Sequence, residues 1–153
     1  MTNDGRDARV HRRLIDGLYV EAMLLADEAR SYFDDGGRAE RETLSPIARV
    51  SFSCESLKVT TRLMHVIAWL LTQRAVLAGE LTEMQAMEPS RRLGSAPSSD
   101  AETLATLPEE ARHLIGASLE LHRRVALLDE AQTRPRRVES PVRMMQARLA
   151  TAF

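Results

Sequence analysis

The hydrophobic and polar positions of the chain repeat at helical spacing almost throughout, and the pattern is densest between Ser45 and Gly79. Ser45 is a good N-cap, and Pro46 suits the first helical position because its φ is fixed and its missing donor would be unpaired there. Gly79 is the residue type that takes a left-handed C′ position without a Cβ penalty. Nothing between them breaks a helix, so the spacing predicts a rod on the order of 50 Å long. Winding it at 100° per residue puts Val50, Cys54, Leu57, Thr61, Met64, Ala68, Leu71 and Ala75 on one side. Phe52, Val59, Leu63, Val66, Leu70 and Leu77 line the opposite side. Ser51, Glu55, Lys58, Arg62, His65 and Gln73 gather in one polar stripe, with Trp69 inside it. A helix resting on one surface needs an apolar arc only somewhat wider than 100°. This one needs neighbours on at least two sides, which two flanking helices and a second subunit would supply.

The flanking elements follow from the same periodicity. Leu14, Ile15, Leu18, Ala22, Leu25, Ala29, Tyr32 and Phe33 share a face, predicting a helix over 12–35 that Gly36-Gly37 ends. Val20, Met23 and Leu24 fall off that face, as ordinary surface residues or as a partner-facing patch. Residues 1–11 are polar and are expected to be disordered. The short charged connector 38–44 favours an antiparallel neighbour. Thr82 with Gln85 reads as a capping box for a short helical turn that Pro89 stops. The run EPSRRLGSAPSSD then marks a loop over about 88–103. A last helix is expected over 106–131, opened by a Thr106–Glu109 capping-box pair. Its inner face carries Leu107, Ala111, Leu114, Ile115, Ser118, Leu121, His122, Val125, Ala126 and Asp129. No strand-like alternation occurs. The expected fold is all-α, an antiparallel three-helix bundle over 12–132 with one long central helix, forming a homodimer.

The tail over 133–153 has five arginines against one acid, Glu139, and two prolines in its first half. It is expected to be flexible, with Val142 to Phe153 able to form an amphipathic helix on binding a partner. Arg143, Met145, Arg148, Leu149 and Phe153 are its candidate contacts, together with Val142. Net charge is −1 and 28% of residues are charged, which excludes a protein tuned as a whole for nucleic acid. With 44% apolar residues the chain can build a core. Cys54 is the single cysteine, so no intrachain disulfide forms, and a buried structural thiol is expected. There is no signal-peptide pattern and no apolar run long enough for a bilayer, so a cytoplasmic protein is expected.

Catalytic signatures are missing: no P-loop, GxGxxG, GxSxG, CxxC or HExxH occurs. No two of the four histidines fall at i, i+4, so neither a metal nor a cofactor is expected. His122, on the apolar side of the last helix, is either a general base or a core histidine hydrogen-bonded to a neighbour. Asp129 has a bland reading at the point where that helix leaves the bundle. The stripe containing Lys58, Arg62, His65, Trp69 and Gln73 is the leading candidate for partner binding. An exposed Trp beside an Arg has hot-spot composition. The competing reading has the 82–100 loop covering Trp69, and a third is a solvated face with a Glu55–Lys58 pair.

The central run ESLKVTTRLMHVIAWLLTQRAVLAGELT resembles the RcdA family of bacterial cell-cycle regulators, as do LATLPEEARHLIGASLELHRRVALLDE and the closing SPVRMMQARLATAF. The resemblance implies a homodimeric three-helix bundle with a flexible C-terminal tail and no enzymatic activity. It implies an adaptor that promotes degradation of clients such as CtrA by the ClpXP protease. The partners implied are ClpX, a CpdR-like response regulator and a PopA-like cyclic-di-GMP effector, which could recruit the protein to a cell pole. A small DNA-associated regulator using the basic terminal segments is the alternative, and an enzyme using His122 or His65 is a third.

Overall fold

A computed structural model describes residues 2–134 and 141–152, and the described residues contain no strand. Seven α-helices follow in order: α1 Thr2–Ser31, α2 Arg38–Glu42, α3 Pro46–Leu77, α4 Glu83–Ala86, α5 Ala101–Ala105, α6 Glu109–Thr133 and α7 Pro141–Ala152. A π turn, Tyr32–Gly36, closes α1, and a 3₁₀ turn, Pro89–Arg91, follows α4. α1 begins ten residues before the expected start at 12, so residues 2–11, expected to be disordered, are helical, and Met1 lies outside the described residues. Gly5 is a weak helix former, but Asp4 in the first turn complements the helix dipole and the residues after it propagate well.

α3 begins and ends where its signals lie. The Ser45 hydroxyl accepts from the Ala48 amide at 3.2 Å, and Gly79 adopts φ +76° just past the end. The Thr82–Gln85 capping box closes in both directions, at 2.9 and 3.1 Å. The Thr106–Glu109 box does not form. Thr106 ends α5 and bonds back to the Thr103 carbonyl, and Pro108 occupies the N-cap of α6.

The core lies where α1, α3 and α6 meet. Ile15, Leu18 and Ala22 of α1 face Phe52, Val59, Leu63, Val66 and Leu70 of α3, and Leu114, Ile115, Leu121 and Val125 of α6. Rings of Tyr32, Phe33 and Phe52 close one end, with centroids 5.1 to 6.0 Å apart. α1 and α3 run antiparallel, as Asp16–Arg74 and Arg12–Leu77 contacts at one end and Phe33–Phe52 at the other require. α6, however, runs parallel to α3. Arg62 bonds Ser118, Trp69 bonds Asp129 and Gln73 bonds Gln132, so both chains advance together. The expected all-antiparallel order is corrected on this point. Short connections force antiparallel neighbours, but the 78–108 connection is long enough to return along α3 before α6 starts.

The outer side of α3 stays uncovered. Ile47, Val50, Leu57, Met64 and Leu71 are exposed, as is Cys54, so the buried thiol is corrected too. Val20, Met23 and Leu24 of α1 are likewise exposed. Of the tail, α7 is helical, and its Val142, Met145 and Leu149 are exposed. Phe153 lies outside the described residues, and so does the side chain of Arg143.

Candidate functional site

The polar stripe of α3 is not an open surface. Residues 92–99 lie over it as a strap, and Glu55, Lys58, Arg62 and His65 of the stripe all bond to that strap. Arg62 is fully buried. Its Nε and Nη2 donate to the Pro97 carbonyl at 3.1 and 2.8 Å, Nη2 to Ser99 Oγ at 2.6 Å, and Nη1 to Ser118 Oγ at 3.2 Å. Burial lowers the guanidinium pKa, with the Glu55 charge acting the other way. Glu55 is also buried and accepts from Ser99 Oγ at 2.5 Å and from Lys58 Nζ at 3.0 Å. Lys58 reaches the Ser98 carbonyl at 2.8 Å.

Further along, His65 Nδ1 lies 2.9 Å from the Ser95 carbonyl and His122 Nε2 lies 2.8 Å from the Gly94 carbonyl. A carbonyl only accepts, so each ring nitrogen donates, which fixes the tautomer of each neutral ring. Gly94 is required here: a Cβ would sit 2.6 Å from His65 Nδ1. At the strap's start, Arg92 grips the Asp129 carboxylate through Nε and Nη2 at 2.9 to 3.2 Å. The same carboxylate accepts from Trp69 Nε1 at 3.0 Å. Arg92's own hydrogen bond to Asp129 raises the guanidinium pKa.

The structure therefore brings Lys58, Arg62, His65 and Trp69 together, but as the seat of the strap. Trp69 and Arg62 are buried, so the exposed hot-spot reading is corrected in favour of coverage by the loop. Gln73 is buried as well, and its Oε1 accepts from Gln132 Nε2 at 2.7 Å. His122 likewise commits its Nε2 to the strap. Asp129 gains a role that its place on α6 did not suggest, as the anchor of both Trp69 and Arg92. A carboxylate on an otherwise apolar face demands a partner, and Arg91-Arg92 in the loop was the available signal.

An apolar stripe remains outward on α3. Ile47, Val50, Cys54, Leu57, Thr61, Met64, Ala68 and Leu71 alternate at spacings of three and four, the a/d repeat of a helix–helix seam. Leu57 is 68% exposed and Met64 63%. The helix that carries this stripe is buried on its other sides.

Among the described residues no group of three metal-ligating side chains converges, and no helix is long and apolar enough to cross a membrane. The class so defined is a small all-helical protein with a strapped core and an outward apolar helix face. The profile of the family described as "Protein of unknown function (DUF1465)" matches residues 6–153. The crystal structure of RcdA from Caulobacter crescentus CB15 is similar, with 34% identity and a TM-score of 0.64 over 78% of this chain and 90% of that one. No curated protein matches. The chain belongs to the DUF1465 family, in its RcdA-like form.

Proposed function

We propose that this protein is a non-enzymatic adaptor that promotes regulated degradation of cell-cycle regulators. In this reading, CtrA-type clients are brought to the ClpXP protease. A CpdR-like response regulator and a PopA-like cyclic-di-GMP effector act with the adaptor, and such partners recruit it from the cytoplasm to a cell pole. The protein works as a homodimer joined along the outer face of α3.

The observation that supports this reading most directly is the division of labour on α3. The polar side chains of the stripe are turned inward onto the strap and α6, while apolar side chains at seam spacing face outward. A surface of that kind binds helices. Kinship with RcdA supplies the class of process.

The test is reconstitution. Purified ClpXP, the CpdR-like protein and a CtrA-type client are combined with and without this chain, and client loss is followed. Client turnover is expected to accelerate several-fold. Unchanged turnover with a client set drawn from the same cell would sink the adaptor reading.

A further inference from the structure

A recess lies at the opposite end of the molecule from the aromatic cluster. It is a groove of about 1090 Å³ between the start of α1, the end of α3, α4 and the end of α6. Its volume exceeds the roughly 300–1,000 Å³ of small-ligand pockets, so it suits a segment of chain. The floor is apolar, with Val76, Met84, Met87 and Leu128. The rim is acidic: Asp4, Asp7 and Glu83 stand there against the single arginine Arg134, with His11 beside them. Gln73 reaches the groove from the core. It is 96% buried (4% exposed), and its Nε2 has no hydrogen-bond partner among the described residues. A buried amide donor costs about 1–3 kcal/mol when unpaired, so the groove favours an occupant that brings an acceptor.

We propose that the chain's own C-terminal helix, α7, docks in this groove. α7 has the complementary composition. Val142, Met145 and Leu149 fall at i, i+3 and i+7 and are exposed, which makes them apolar anchors without a partner in the described structure. Its charges are Arg143 and Arg148, with no acid. The last carbonyls of any helix lack intrahelical donors, which gives α7 acceptors to offer Gln73.

The tether permits it. α6 ends at the groove, with Ala131, Gln132 and Arg134 on its wall. The six residues between Arg134 and Pro141 reach about 25 Å at full extension. A covalent tether of that length holds α7 at high effective concentration, so a modest intrinsic affinity closes the groove. The docked state hides the anchors of α7, and any partner that takes α7 must compete with the groove. Docking itself does not depend on the adaptor reading.

The test is cross-linking in the full chain. Met84→Cys and Met145→Cys are introduced together in a Cys54→Ser background, and the dilute protein is treated with a short bismaleimide. Both sites are exposed, so the fold is not at risk. The control pairs Met145→Cys with Thr43→Cys, near the aromatic cluster. An intrachain product at monomer mass is expected, several-fold above the control. It should fall several-fold when Asp4, Asp7 and Glu83 are replaced by Lys, and at high salt, because the rim attraction is screened. Equal yields for both pairs, or a product only at dimer mass, would overturn the proposal.

Discussion

Trp69 Nε1 and the Arg92 guanidinium share one carboxylate, that of Asp129, at 3.0 Å and 2.9 Å. The pair ties α3 and the strap to α6 at a single point that is almost closed to water. Asp129→Ala leaves a buried indole N–H and an arginine unpaired. It should cost about 2–3 kcal/mol, while Asp129→Asn, which keeps an acceptor for Trp69, should cost less. Trp69 is the only tryptophan, so urea unfolding followed by its fluorescence reads both changes. Equal stability of Asp129→Ala and wild type would show that this anchor contributes nothing.

Arg62 is the second tie, and a deeper one. Four hydrogen bonds satisfy its guanidinium, three of them to the strap. Arg62→Ala removes four hydrogen bonds, leaves the Pro97 carbonyl without its donors and opens space beneath it, so a loss of about 3–5 kcal/mol is expected. Amide hydrogen exchange over 95–99 should rise with it, since the strap is released before the core. Arg123→Ala, which removes only an exposed pair with Glu120, should leave both readouts unchanged.

These two ties mark the limit of what the sequence discloses. Ser45 and Gly79 bracket α3 because caps act locally, and the Thr82–Gln85 box was legible for the same reason. The core list for α6 was also legible: Leu114, Ile115, Leu121 and Val125 are buried where periodicity puts them. Periodicity gives each side chain an angle about its helix but does not say what lies at that angle. Glu55 and Arg62 are polar, so their direction read as a partner-binding or solvated surface when it was a strap, and Gln73 meets Gln132 of α6. Cys54 is apolar, so its direction read as core when it was solvent. The 92–99 segment has no period at all, and its path depends on pairings more than thirty residues away in sequence, such as Arg62–Pro97. The direction of α6 followed from that path and was therefore out of reach.

Gly94 offers a test of how closely the strap is fitted. A methyl group there would meet the His65 ring at 2.6 to 2.8 Å, and the His65–Ser95 hydrogen bond holds that ring in place. Gly94→Ala should destabilise by about 1–3 kcal/mol. In a His65→Ala background the same change should cost at least about 1 kcal/mol less, because the obstructing ring is gone. Additive losses in the double-mutant cycle would mean that the strap shifts freely and the close approach is of no energetic consequence.

Tyr32 gives the fold an alkaline limit. Its hydroxyl is held under the α1–α3 turn and donates to Glu40 at 2.6 Å, and burial together with that hydrogen bond raises its pKa above the usual value near 10. A group whose folded pKa is raised stabilises the fold fully below its unfolded value and loses that contribution as pH climbs past it. Stability should therefore be insensitive to this group at neutral pH and decline from about pH 10 upward. Tyr32→Phe should cost about 1 kcal/mol at neutral pH and flatten the alkaline decline. Denaturant midpoints between about pH 9 and 11 decide it, and parallel slopes for the two proteins would remove Tyr32 as the cause.

The outer face of α3 makes the dimer testable without touching the core. Leu57 and Met64 sit a heptad apart, exposed, and in the middle of the apolar stripe. If two copies join there, Leu57→Glu with Met64→Glu places four carboxylates in one seam, and like charges without partners are costly to desolvate. Light scattering should show wild type at twice the monomer mass and the double variant at the monomer mass. Thermal unfolding of the variant at low concentration should match wild type, because neither side chain contributes to the buried core of the single chain. A variant that remains dimeric would move the seam elsewhere, with the exposed Val20, Met23 and Leu24 on α1 as the next face to charge.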